Sequence, residues 1–185
     1  MNNGPIEPSE LTYRILSSPH RTLDPMDLSI IFQDASGWWL FYALLLCSGM
    51  RIDDAALLTP GNIDRSRSII GTFCLRSERY YELPFLPALL NHIPLGQSAD
   101  EPLFSTLYCD VEDKNILEDQ LNDNLAQPSD YLKALLSAQG RPVASLMALR
   151  MTFDEVVKPL LDDLPNADKW FNQTCRPNSD RRAIS

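Results

Sequence analysis

Between Trp38 and Asp64 the chain reads WWLFYALLLCSGMRIDDAALLTPGNID, and this stretch limits the fold more than any other. Its first ten residues, Trp38 to Cys47, are all apolar. A run that is apolar on nearly every side predicts a helix from Gly37 to Ser48, buried in the middle of a domain. The run is too short to span a bilayer, which takes about twenty residues. Gly49 suits the left-handed position that ends such a helix. Asp53 is placed to cap a second short helix, which Thr59-Pro60-Gly61-Asn62 then terminates.

The rest of the chain adds mostly helix. Asp24 as cap, with Pro25 in the first turn, predicts a helix through Ala35. Ile69 to Leu75 and Tyr80 to Leu83 are β-branched and aromatic on either side of Arg76-Ser77-Glu78-Arg79, which predicts two strands joined by a polar turn. Pro84 and Pro87 lead into a helix near Ala88 to His92. Helical pieces follow around Ile116 to Leu125 and Tyr131 to Ala138, the latter ending at Gly140. Val143 to Leu161 is helical until Pro159 interrupts it. The expected fold is mainly α, of the α+β class: a helical domain with a small antiparallel hairpin or sheet. Residues 1–19 read as an extended arm or linker, 20–165 as the domain, and 166–185 as a polar tail.

At 185 residues, with 44% hydrophobic and 22% charged side chains, the chain fits one globular domain. The N-terminus has neither the basic nor the apolar region of a signal peptide, and the scattered cysteines read as cytoplasmic thiols, so the expected location is cytoplasmic. Cys47, Cys74, Cys109 and Cys175 are too widely spaced for a metal-ligand pattern, and nothing calls for a cofactor. The net charge of −9 opposes binding to nucleic acid, which rests on neutralising phosphates with Lys and Arg. The excess is concentrated, however. Asp100 to Asp130 carries nine acidic residues against Lys114 alone, and the remainder is close to neutral. Any DNA affinity should therefore be weak and salt-sensitive.

Two arginines stand out: Arg51, just past the central helix, and Arg150 in the apolar segment Leu146 to Phe153. Arginine suits a phosphate site through its permanent charge and planar fork of donors. Gly49 to Asp64 resembles the first arginine motif of the tyrosine recombinase (phage integrase) catalytic domain. Arg21 to Asp27 is similar to the entry into that domain. Ile69 to Leu86, with Leu83-Pro84-Phe85, resembles its hairpin, and Leu103-Phe104 and Ala148 to Phe153 follow in the expected order. The resemblance implies that Arg51 and Arg150 clamp a phosphate. It places Arg76 where the family has a general-acid lysine, a role to which guanidinium is poorly suited because it hardly gives up its proton. Arg79 and Trp170 are weaker candidates.

The departures are as informative. Met147 stands where the family has a histidine, three residues before Arg150. No tyrosine follows Tyr131, and the nucleophile position falls in Asn178-Ser179-Asp180-Arg181-Arg182. Covalent phosphoryl transfer needs a nucleophile with an activating neighbour. The resemblance thus implies an inactive recombinase-like protein with a DNA-related role, binding DNA or joining an active recombinase. A competing expectation is an acidic interaction module that reuses the scaffold. In it the Asp100–Asp130 segment would imitate DNA to a basic partner, with Asp110, Glu112 and Asp113 as candidate contacts, or lie over the domain's own arginines. A third, an enzyme with an unusual nucleophile such as Ser179, is the least supported.

Plainer roles stand beside these. Arg51 can complement a helix dipole and pair with Asp54, and Arg150 can be held by Asp53, Asp54 or Asp154. Arg76 and Arg79 can be solvated on a hairpin tip. Trp38, Trp39, Phe41 and Tyr42 read as core, and His92 as a helix end. The acidic segment can be a solvated face.

Overall fold

The computed structural model describes residues 21–34, 36–84, 87–93, 96–111 and 113–159. The expected arm (1–19) and tail (166–185) lie outside the described residues. Helix α1, Pro25–Gln33, opens as expected: Asp24 accepts from the Met26 and Asp27 amides, and Asp27 reaches back to the Asp24 amide. Helix α2, Trp39–Ser48, is the central apolar run, with Phe41 through Leu46 buried on all sides. Gly49 closes it with φ of 63°, in the left-handed region. Helix α3 is the short Ile52–Ala56. Its N-cap is Arg51, not the expected Asp53, which lies within the first turn.

A 3-10 turn at Pro60–Asn62 leads to β1, Ile63–Asp64. Strands β2, Ile69–Phe73, and β3, Tyr80–Pro84, form the expected hairpin, with Phe73 opposite Tyr80 and Ile69 opposite Pro84. β1 adds a short antiparallel third strand, giving the order β1-β2-β3. Pro87–His92 is 3-10 rather than α-helical. The expected two helices of the acidic region are one, α4, Lys114–Ala138, which runs through Pro128. Helix α5 covers Leu146–Thr152, starting after the expected Val143, and continues as a π turn, Phe153–Val157.

The core surrounds α2, which contacts α1, α3, α5 and the π turn. Phe41 meets Phe104 edge to face at 5.1 Å, and the Tyr42 hydroxyl donates to the Pro128 carbonyl at 2.6 Å. Trp38 and Trp39 are half-buried against this core. His92 ends its 3-10 turn, 4.4 Å from the Trp39 ring. Among the described residues no helix is long and apolar enough to cross a membrane.

Candidate phosphate-binding site

The site is built on the end of α2. A Cβ added to Gly49 would lie 2.3 Å from the Phe153 ring, so only glycine lets the π turn press onto the backbone there. That approach brings in α5, and Arg150 Nε donates a long hydrogen bond of 3.4 Å to the Gly49 carbonyl. Arg51 follows two residues later in extended backbone. Two guanidinium groups from distant parts of the sequence thus share one turn.

Arg51 is already engaged. Its Nε and Nη2 donate to the two carboxylate oxygens of Asp53 at 3.2 and 2.9 Å. Asp54, expected as its partner, lies 4.0 Å away from Nε. Burial works against the charge on Arg51, but the Asp53 hydrogen bond and the nearby carboxylates outweigh it and raise its pKa. Arg76 reaches the same carboxylate from the hairpin, its Nε 3.9 Å from Asp53 Oδ2.

Asp54 fixes the hairpin in place. It is buried and accepts from the Leu75 amide at 2.9 Å and the Tyr81 hydroxyl at 2.7 Å. Those bonds tie both sides of the hairpin to α3, and Leu75 is the residue before Arg76. Burial pushes the Asp54 pKa up, only partly offset by its donors. Burial and the neighbouring carboxylate push up the Tyr81 hydroxyl too, so it remains a donor. Asp53 and Asp54 read from the sequence as possible ion-pair partners of the arginines, whereas Tyr81, which holds Asp54, is missed. No local signal links Tyr81 to Asp54, because they lie 27 residues apart and the tyrosine reads only as part of a strand.

The structure therefore sets Arg51 and Arg76 on one carboxylate and bonds Arg150 to the Gly49 carbonyl, two residues before Arg51. Arg79 stays exposed at the hairpin tip, without an ion pair among the described residues. Met147 is partly exposed on α5, one turn before Arg150. Asp110 is exposed, whereas the Asp113 carboxylate caps α4 through the Asn115 and Ile116 amides. Glu112, Trp170 and Ser179 lie outside the described residues. Lys114 bonds Glu78 at 2.7 Å and sets the start of the acidic helix against the hairpin. Among the described residues no acid of the 100–130 segment pairs with Arg51, Arg76 or Arg150, and no metal-ligating cluster occurs.

No protein-family model matches the sequence, and no curated protein matches it. Solved structures do. The integrase from mycobacterium phage Brujita superposes with a TM-score of 0.50 over 83% of this chain, at 12% identity. The chain has the tyrosine-recombinase (phage integrase) fold. It spans 50% of the length of that integrase. The catalytic domain of bacteriophage HP1 integrase is also similar, over 84% of this chain and 89% of its own, with 14% identity and a TM-score of 0.42.

Proposed function

We propose that this chain is a catalytically inactive tyrosine-recombinase-like protein that contacts DNA in an accessory role in recombination. The observation that carries this reading is the gathering of Arg51, Arg76 and Arg150 around the turn that follows α2. A phosphodiester presents two oxygens to a guanidinium fork, and several such forks in one place suit a backbone phosphate. Chemistry is a separate matter. A guanidinium at 76 is a poor acid, the thioether of Met147 moves no proton, and the 178–182 segment offers no tyrosine. Duplex DNA should bind at low salt and release as salt rises, and the double variant Arg51→Ala, Arg150→Ala should lose that binding. Binding that ignores the double substitution removes the proposal. Nicked suicide substrates should yield no covalent adduct; an adduct would restore the enzyme reading.

A second reading, an acidic module that meets a basic protein, is favoured by one observation: Arg51 is occupied by Asp53 while Asp110, Asp119 and Asp123 point to solvent. A pull-down should then recover a partner whose binding weakens when Asp110, Glu112 and Asp113 are neutralised. Unchanged binding counts against this reading.

A further inference from the structure

A carboxylate and a phosphodiester make the same demand on an arginine: two oxygens facing two N–H groups. In this chain that demand is met from within. Asp53 takes both Nε and Nη2 of Arg51, and its Oδ2 also faces Arg76. Among the described residues those two arginines are its carboxylate's only partners. Asp54 is held differently, by an amide and a buried hydroxyl that belong to the hairpin. Of the two neighbouring acids, Asp54 is structural and Asp53 is free to leave.

We propose that Asp53 is an intramolecular competitor for the anion that Arg51 and Arg76 would bind, so that a DNA phosphate must displace its carboxylate to enter the site. The inference rests on the phosphate-site reading above and adds the residue that limits its affinity. Three features make the exchange workable. The Asp53 side chain is 20% exposed, so it has a route to solvent by rotating about its own bonds. Its tether keeps it at a high effective concentration, which lets it compete although the ion pair is partly exposed and individually weak. When it leaves, it frees two guanidinium groups at once, which favours a ligand able to engage both.

The test uses the full chain and a fluorescently labelled DNA duplex, with anisotropy followed across a salt titration. Asp53→Asn keeps the shape and removes the charge; Asp53→Ser is the second variant should the amide disturb the fold, which circular dichroism would show. Asp119→Asn, an exposed charge removed from α4, controls for the general loss of negative charge. Asp53→Asn should tighten binding by roughly three- to tenfold at low salt. Asp119→Asn should do much less, and the gain should vanish when Arg51→Ala is added. If wild type binds and Asp53→Asn behaves like Asp119→Asn, or keeps its gain without Arg51, the competitor is overturned and the phosphate site survives. If neither wild type nor Asp53→Asn binds, the phosphate-site reading falls, and the competitor with it.

Discussion

Asp27 is fully buried, and three donors reach it: Arg21 at 2.5 Å, Arg141 at 2.8 Å, and the Asp24 amide at 3.1 Å. Burial pushes its pKa up, but the bonds from Arg21, Arg141 and the amide outweigh that, and the result lies below the ordinary carboxylate range. The folded value is depressed, so this group adds stability above its unfolded pKa of about 4, and that stability is lost as pH falls through the folded value. Asp27→Asn should cost about 3 kcal/mol near neutral pH, since it removes the buried charge that Arg21 and Arg141 share, although Arg141 keeps Asp24. It should also flatten the fall in stability below about pH 4. Urea midpoints taken at several pH values check both; an acid limb as steep as the wild type's would contradict the assignment. Gly49 makes a second case. Alanine there must hold a positive φ and displace the Phe153 ring. The expected loss is roughly 2–4 kcal/mol, read from the denaturant midpoint. The left-handed role of Gly49 was legible in the sequence; the ring pressed against it was not, because that contact is made by a residue a hundred positions away.

At the level of elements, the hairpin is aimed by a few polar bonds. Tyr81→Phe keeps the ring and removes the hydroxyl that donates to buried Asp54. A buried carboxylate that loses a donor should cost roughly 1–3 kcal/mol. Asp54 has a raised pKa, so its own contribution runs opposite to that of Asp27: greatest below the unfolded value and falling as pH rises through the folded one. The Tyr81→Phe loss should therefore be larger at pH 7 than at pH 4, where more of Asp54 is protonated. A pH-independent loss would place the bond elsewhere. Helix α4 shows where local signals mislead. Leu117, Leu121, Leu125, Pro128, Leu132 and Leu136 fall on one helical face and pack on the core, a period that continues through the proline. Proline lacks the donor and crowds the preceding turn, so the sequence read as two helices. Burial of that whole face, with Tyr42 bonded to the Pro128 carbonyl, outweighs the break. The opposite held for α2, where an all-round apolar run left no competing arrangement.

For the whole molecule, charge placement sets the terms of any contact with DNA. Arg51 and the Arg150 contact lie at the turn after α2, with Arg76 reaching Asp53 from the hairpin, while Glu118, Asp119, Asp123 and Asp130 lie along α4. Composition gave only the sum, −9, which hides this separation. If the three arginines are the phosphate contacts, log K should fall against log salt with a slope of about −3, near 0.9 per phosphate. The exposed acids of the 100–130 segment act differently, through space and over about 10 Å at 0.1 M salt. Neutralising Asp110, Asp119 and Asp123 to Asn should tighten binding at low salt. That gain should shrink as salt rises towards 1 M, where the screening length drops to about 3 Å. A gain from the three neutral residues that is the same at every salt concentration would mean that they touch the duplex directly, and the division between a basic turn and a repelling acidic segment would fail.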